Sequence, residues 1–365
     1  MINSPREEIE VRVSDTDPIV EASASHAVTP DATAPPALLE VDELMTHYPI
    51  NRGLVGRLMR QEAKTVHAVD GVSLRVQAGE FVALVGESGC GKTSTVMTIL
   101  GATKATSGSV RINGDEILGR SSRAMLPVYR QLQMIYQDPY GSLDPRFRVS
   151  DTVEEPLLVH GVGGSKQERR DMVLAALESA GLSPADLYID RFPHELSGGQ
   201  RQRVAIATAL ILEPKLLLAD EPVSMLDVSV RASVLNLLDD LRRTREMAIV
   251  MVTHDLSTAG HFADRIVVMY LGRIVEEGPA KEVLSNPQHP YTKALISVVP
   301  KPDPRDRSKP LTLTGETPNP VDIPAGCRFH PRCPIARDEC KQVDPRLRLP
   351  VSVRVESHRV ACHLA

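Results

Sequence analysis

No run of consecutive apolar residues in this 365-residue sequence approaches the ~20 residues that a helix needs to cross a bilayer. The first residues, MINSPREE, also lack the basic-then-apolar order of a secretory signal peptide. Together these absences predict a protein that is made and kept in the cytoplasm. The sequence has only five cysteines, and in a reducing compartment cysteines serve metal or thiol chemistry more often than disulfides.

An excess of basic residues is missing as well. The net charge is -5 and the pI is near 6.1, so the composition predicts no nucleic-acid partner. Hydrophobic residues make up 42% of the chain, which is enough to bury a full α/β core and to carry a second module.

Tryptophan, tyrosine and phenylalanine are absent from the first 47 residues, and prolines are frequent in that region. A segment of this kind buries too little apolar surface to offset its ordering entropy, so we predict a disordered tail over residues 1–37. Structure is expected to start with a strand at Leu38–Val41. A basic, irregular insert at residues 51–64 then precedes a second strand near Val72–Val76.

The motif G-x-x-x-x-G-K-[ST] occurs at Gly86–Thr93, between the apolar run Phe81–Val85 and an apolar helix start. Its glycines allow successive N–H groups to point at phosphate oxygens, and the helix N-terminus adds partial positive charge. An ordinary glycine-rich turn is the alternative, but all three fixed positions are present. Lys92 is predicted to reach the β- and γ-phosphates, and Thr93 to ligate Mg²⁺. The predicted nucleotide-binding residues are Gly86, Ser88, Gly89, Cys90, Gly91, Lys92, Thr93 and Ser94.

Tyr48 is the first aromatic residue and lies where the first predicted strand ends. Its ring could stack on a nucleotide base, because stacking requires only a flat face. A half-buried structural tyrosine is an equally good interpretation of the spacing.

Polar residues end two further apolar runs. Gln137 follows Leu132–Tyr136, where it could touch Mg²⁺ or a water at the nucleotide. Asp220 and Glu221 follow Leu216–Ala219. Two adjacent carboxylates after a buried strand are costly unless they serve a cation or a proton transfer.

A second phosphate-binding device is the pentapeptide LSGGQ at residues 196–200, ahead of a helix predicted over Arg201 to Leu212. One nucleotide does not need two such devices. The pentapeptide is therefore predicted to serve a nucleotide held by a partner subunit.

With these motifs in this order, residues 38–299 resemble the nucleotide-binding subunit of an ATP-binding cassette (ABC) transporter. The resemblance implies an α/β P-loop NTPase fold, with a mixed core sheet, an antiparallel β subdomain and a helical subdomain at about 138–200. It implies ATP and Mg²⁺ as cofactors and ATP hydrolysis as the activity.

The resemblance also implies roles for single residues. Asp220 would hold Mg²⁺ with Thr93 and Gln137, Glu221 would be the general base, and His254 would contact the γ-phosphate. Ser197, Gly199 and Gln200 would contact the γ-phosphate of the partner's ATP, and Asp227 would be a further nucleotide-binding residue at the contact between the two cassettes. Met225 stands where the family usually has alanine, which puts the detailed geometry around Asp227 in doubt.

The C-terminal region, with GETPNP at 315–320 and GCRFHPRCP at 326–334, resembles the extension of ATPase subunits from oligopeptide, dipeptide and nickel importers. It implies an importer ATPase with its cassette at 38–300 and an extension at 301–365. The insert between Tyr48 and Val66 resembles that of the second of two paired ATPases. The alternatives are a nickel or other solute importer, an exporter cassette, and a non-transport ABC ATPase.

The implied partners are two transmembrane permease subunits and a second ABC ATPase, expected to be a sister chain. An extracytoplasmic substrate-binding protein would act indirectly. The protein would lie peripherally on the cytoplasmic face of the membrane, with residues 140–149 at the edge of the permease-docking groove.

Four cysteines fall in the extension: Cys327, Cys333, Cys340 and Cys362. Their spacing differs from the C-x2-C pairs of zinc fingers. Four thiolates together predict a site for a soft cation or cluster, and the alternative is four unrelated buried thiols. The resemblance ranks a [4Fe–4S] cluster above Zn²⁺.

Overall fold

The computed structural model describes residues 37–50, 64–299, 311, 313–350 and 357–365, with only the backbone at 139 and 140. The predicted disordered tail up to residue 36 and the predicted insert at 51–63 lie outside these described residues. The described strands are β1 (Leu39–Pro49), β2 (Thr65–Val76), β3 (Phe81–Val85), β4 (Ser107–Ile112), β5 (Asp115–Glu116), β6 (Leu132–Ile135), β7 (Leu216–Asp220), β8 (Ala248–Thr253), β9 (Arg265–Tyr270), β10 (Arg273–Pro279) and β11 (Arg359–Val360).

The described α-helices lie between and after these strands and contribute the other buried side chains of the core. They are α1 (Lys92–Ile99), α2 (Ser122–Gln131), α3 (Pro139–Ser142), α4 (Val149–His160), α5 (Lys166–Ser179), α6 (Gly198–Leu210), α7 (Val228–Arg245), α8 (Leu256–Phe262), α9 (Ala280–Ser285), α10 (Pro290–Ser297) and α11 (Asp338–Gln342). None of these helices combines the length and the apolar character that crossing a membrane requires.

A seven-stranded sheet in the order β11-β10-β9-β3-β8-β7-β6 forms the core. Strands β6, β7, β8, β3 and β9 are mutually parallel, whereas β10 pairs antiparallel with both β9 and β11. The central strands are apolar and buried along their whole length, as expected for parallel strands covered on both faces. Because parallel strands end at one edge, the loops after β3, β7 and β8 meet there.

A four-stranded antiparallel sheet, in the order β2-β1-β4-β5, packs against the core sheet. A turn at Asn113–Gly114 joins β4 to β5, and both residues have positive φ (52° and 83°). The mixed core sheet, this sheet and the helices α4 to α6 confirm the predicted fold, while the proposed domain limits stay predictions.

Helix α6 begins three residues earlier than predicted, at Gly198, and ends at Leu210. Ser197 caps it: its hydroxyl accepts from the Gln200 amide at 3.3 Å, and the Gln200 side chain accepts from the Ser197 amide at 2.9 Å. This reciprocal capping box starts the helix inside the pentapeptide in spite of its glycines.

The predicted C-terminal extension packs tightly on the cassette core. Its strand β11 pairs with β10. Phe329, 1% exposed, lies in a buried cluster with Tyr270 and Tyr291. The ring centroids of Phe329 and Tyr270 are 5.2 Å apart in an edge-on arrangement.

Candidate functional site

The loop between β3 and α1 has the shape that its glycines predict. Gly91, at φ 106°, immediately precedes α1. A Cβ at this position would lie 2.1 Å from the carbonyl oxygen of Ala68, and one at Gly86 would lie 2.3 Å from that of Met269. The loop can therefore follow this path only with glycine at both positions. Gly91 provides no side-chain cap for α1, so the N-terminus of that helix can bind an anion.

Lys92 is 6% exposed and folds back over the loop. Its Nζ donates to the carbonyl oxygens of Gly86 at 2.8 Å and Glu87 at 3.0 Å. The ammonium group thus lies over the loop that is predicted to hold phosphates.

Thr93 and Asp220 meet where β7 ends. The Thr93 hydroxyl donates to Asp220 Oδ1 at 3.1 Å, and Asp220 is 4% exposed. Burial, together with the nearby Glu221 charge, raises the pKa of Asp220, although Thr93 and Lys92 act in the opposite direction. A divalent cation would favour the charged carboxylate, so this hydroxyl and carboxylate fit the predicted Mg²⁺.

Glu221 lies between two of the other predicted residues. Its Oε1 is 3.0 Å from His254 Nδ1, and its Oε2 accepts from Gln137 Nε2 at 3.1 Å. The structure thus places Gln137 beside Glu221, and its contact with Mg²⁺ or with a water at the nucleotide stays a prediction. Glu221 has a left-handed backbone (φ 44°), so a turn at this residue, not simple strand alternation, separates it from Asp220.

A cavity of about 610 Å³ adjoins this group. Thr93, Gln137 and Asp220 line its polar side, and Met97 and Leu143 are among its apolar lining residues. The predicted magnesium ligands therefore open onto space large enough for part of a ligand.

Ser197, Gly199 and Gln200 of the LSGGQ pentapeptide, the signature residues, lie at the start of α6. A Cβ on Gly199 would approach Val230 to 2.8 Å, so the signature packs against α7. Asp227 caps α7, accepting from the Val230 amide at 2.9 Å. Met225 and Val228, on either side of Asp227, are 56% and 80% exposed.

Tyr48 lies near the end of β1 opposite Val66 of β2, with 38% of its surface exposed. Two residues further along β2, Ala68 presents its carbonyl to Gly91. The predicted base-stacking residue therefore lies beside the strand segment that contacts the glycine loop.

The cassette core and the C-terminal extension share contacts to Glu87 of the loop. The Glu87 amide donates to Tyr291 Oη at 2.7 Å. Its carboxylate accepts from both Arg332 terminal nitrogens, at 2.8 and 3.1 Å, and from the Thr317 hydroxyl at 3.0 Å.

All four extension cysteines are free thiols, with Cys340 and Cys362 buried and Cys327 and Cys333 partly buried. Among the described residues, no three of these sulfur atoms lie within 4.8 Å of one another. Burial, reinforced by the neighbouring Cys340 and Cys362, raises the pKa of Cys327 to about 11.

Two sequence families match the chain. Residues 69–224 match the family described as "ABC transporter", and residues 275–340 match "Oligopeptide/dipeptide transporter, C-terminal region". The "Oligopeptide transport ATP-binding protein OppF" of Salmonella typhimurium is 48% identical over 312 residues, which are 85% of this chain and 92% of that protein. The chain belongs to the ABC transporter ATPase family.

Other ABC proteins are also similar to this chain in sequence or structure. The "Dipeptide transport ATP-binding protein DppF" of Escherichia coli is 42% identical over 88% of this chain and 93% of its own length. A solved structure, described as the dimeric post-hydrolysis state of the ATP-binding cassette MJ0796 bound to ADP and Pi, is 29% identical with a TM-score of 0.58. It covers 66% of this chain and 98% of that one. The predicted ABC ATPase fold and ATP-hydrolysing activity are thereby confirmed.

Sequence motifs did not predict Tyr291, Thr317 and Arg332 as site residues, because all three lie outside the ABC motifs. A signal was available in GCRFHPRCP, where two arginines alternate with cysteines beside a buried phenylalanine. Their carboxylate partners, Asp70 and Glu87, however, lie more than 200 residues away.

Proposed function

We propose that this protein is the ATP-hydrolysing subunit of an importer for oligopeptides or dipeptides. The observation that carries the proposal is the match of residues 275–340 to the C-terminal region of oligopeptide/dipeptide transporters, next to the ABC match. Several relatives that are named as peptide-transport ATP-binding proteins match this chain along nearly their whole length. This combination favours peptide import over export and over ABC ATPases that do not transport.

The residues at the ends of β3, β7 and β8 would share the chemistry of ATP hydrolysis. Lys92 and the loop amides would bind the phosphates, while Thr93 and Asp220 would hold Mg²⁺, which would neutralise charge on them. Glu221 would accept the proton of the attacking water. His254 and Gln137, which contact the Glu221 carboxylate, would help to orient that water.

A second ATPase chain would complete this site. The signature residues Ser197, Gly199 and Gln200 would contact the nucleotide of the partner, because one nucleotide in one chain cannot use both helix N-termini. Met225 and Val228, on either side of Asp227, are 56% and 80% exposed, and neighbouring exposed apolar side chains of this kind support an interface there.

The membrane partners would be two separate permease subunits. Phe147, Leu158 and Val159, in and after the predicted docking segment, are 51%, 57% and 58% exposed and would contact them. The chain would then lie peripherally on the cytoplasmic face, and a substrate-binding protein on the other side would deliver the peptide.

Purification of a tagged chain from native membranes, with identification of every associated polypeptide, tests the proposal. Recovery of two permeases and a sister ATPase encoded with a peptide-binding protein is the expected result. Recovery with ribosomes, nucleic acid or an export permease would contradict it.

The base-stacking role of Tyr48 predicts a contrast between two substitutions. Tyr48→Ala should raise the dissociation constant for ATP by a factor that corresponds to roughly 1 to 3 kcal/mol, because the stacking surface is lost. Tyr48→Phe retains the ring and should change the constant little. Calorimetric titration of ATP measures both, and equal effects would instead assign the role to the hydroxyl.

The four extension cysteines are proposed to bind a [4Fe–4S] cluster, with Zn²⁺ as the alternative. Burial raises the pKa of Cys327, Cys333 and Cys362, so the thiolates that a metal needs require a compensating positive charge, which a metal supplies. Four thiolates around one Zn²⁺ would lie roughly 3.8 Å apart, whereas no three of the described extension sulfurs lie within 4.8 Å of one another. A cluster with one sulfur at each iron tolerates wider spacing. Its contribution would be to hold the extension together.

Protein purified without oxygen is therefore expected to be brown, with absorbance near ~400 nm. Cys333→Ser should remove the colour and make the extension sensitive to protease. Cys90→Ser is the matched control, because Cys90 lies in the phosphate loop, and it should keep the colour. Colourless protein with stoichiometric zinc would reject the cluster.

A further inference from the structure

A paired contact links the C-terminal extension to the ATP-binding loop. The two terminal nitrogens of Arg332 donate to separate oxygens of Glu87, at 2.8 and 3.1 Å, in the parallel geometry of a bidentate ion pair. The Thr317 hydroxyl donates to the same carboxylate and accepts from Arg332 at 3.2 Å. Arg332 and Glu87 are 8% and 28% exposed, so this pair is partly shielded from water.

The position of Glu87 makes its charge matter for ATP. It directly follows Gly86 in the loop, and its carbonyl accepts from Lys92. A carboxylate so close to bound phosphates would repel them, since like charges a few ångströms apart interact strongly where water is partly excluded. Burial opposes the charged form of Glu87, but hydrogen bonds from Arg332 and Thr317 outweigh burial and lower its pKa. The carboxylate is therefore charged at neutral pH and depends on Arg332 for compensation.

A second arginine of the extension contacts the chain segment that hydrogen-bonds to Cys90 of the loop. Arg328 donates to the Leu271 carbonyl at 2.6 Å and pairs with Asp70 of β2. The next residue, Gly272, donates its amide to the Cys90 carbonyl in the loop at 2.9 Å. Arg332 is the last residue of the short helical turn at His330–Arg332, and Arg328 precedes this turn by two residues. The extension thus contacts the loop directly through Arg332 and indirectly, through Leu271 and Gly272, through Arg328.

We propose that Arg332 is a positioning residue for ATP binding: it neutralises Glu87 and holds that carboxylate away from the phosphates, so that the C-terminal extension sets the affinity of the loop for ATP. The proposal rests on the proposed ATP-binding role of the loop. Arg332 acts through Glu87 and itself contacts the extension and the loop. Because Arg332 precedes Cys333 in the chain, a change in the fold of the cysteine region would reach the ATP site through this ion pair.

Titration of ATP into the full-length chain tests the proposal with a double-mutant cycle of Arg332→Gln and Glu87→Gln. Arg332→Gln should raise the dissociation constant about tenfold, because Glu87 is left uncompensated beside the phosphates. Glu87→Gln alone should not weaken binding. Glu87→Gln added to Arg332→Gln should restore the constant to within about twofold of the wild type, because no charge remains to be compensated.

A merely structural role for Arg332 predicts a different pattern, in which the double variant binds ATP as weakly as Arg332→Gln. That result, or unchanged binding by Arg332→Gln, would overturn the proposal. Arg359→Gln is the matched control, since Arg359 lies elsewhere in the extension and pairs with Glu277 of β10, and it should leave ATP affinity unchanged.

Two further measurements keep the outcome clear. If Arg332→Gln does not fold, Thr317→Val removes a hydroxyl that donates to Glu87 and should raise the constant about twofold. If the wild-type chain itself fails to bind ATP, the proposed function is wrong. If the wild type and Arg332→Gln both bind ATP normally, only the role proposed for Arg332 is wrong.

Discussion

Glu221→Gln is expected to lower ATP hydrolysis by at least about 10²-fold and to leave ATP binding unchanged. The amide keeps the size of the side chain and its contact with Gln137, but it cannot accept a proton from water. The contacts of Lys92 with the loop carbonyl and of Thr93 with Asp220 do not involve the Glu221 side chain, so ATP binding through these residues is expected to remain. Steady-state hydrolysis by the assembled transporter, with ATP binding measured in parallel, checks both halves of this expectation.

Glu246→Gln is the matched control for that substitution. Glu246 is an exposed carboxylate at the end of α7, so its loss should leave hydrolysis near the wild-type rate. Near-normal hydrolysis by Glu221→Gln would show that another group activates the water and would remove Glu221 from the proposed chemistry.

Lys92→Ala is expected to weaken ATP binding itself, by on the order of 10²-fold, because two charge-assisted contacts to phosphate are lost together. The buried ammonium lies over the loop carbonyls, which is the position from which it would reach the phosphates. Fluorescence or calorimetric titration of ATP measures the change. Lys104→Ala, at an exposed lysine shortly after α1, should bind ATP normally, and equal affinity of the two variants would contradict the assignment.

Local motifs allowed much of the site to be predicted from the sequence. The glycines at 86 and 91, Lys92 and Thr93 lie within eight residues, and their spacing alone specifies the loop. The approach of Glu221 to His254 required one more step. These residues are 33 positions apart, but both follow apolar runs, and adjacent parallel strands bring such ends together.

Contacts that depend on packing could not be predicted in this way. The Arg332–Glu87 pair joins residues 245 positions apart, and it forms because Phe329 packs between Tyr270 and Tyr291 and so fixes the turn that carries Arg332. The left-handed backbone at Glu221 is also a tertiary effect, since glutamate has no intrinsic preference for that region. Local sequence patterns therefore predict the nucleotide-binding motifs, whereas the contacts that support these motifs depend on tertiary packing.

Uptake of a labelled oligopeptide into membrane vesicles that contain the assembled transporter is the most direct test of the central claim. With ATP on the side of this subunit and a peptide-binding protein on the other, wild-type vesicles should accumulate peptide and Glu221→Gln vesicles should not. Accumulation of nickel but no peptide, or movement of peptide in the opposite direction, would contradict the claim that this protein powers peptide import.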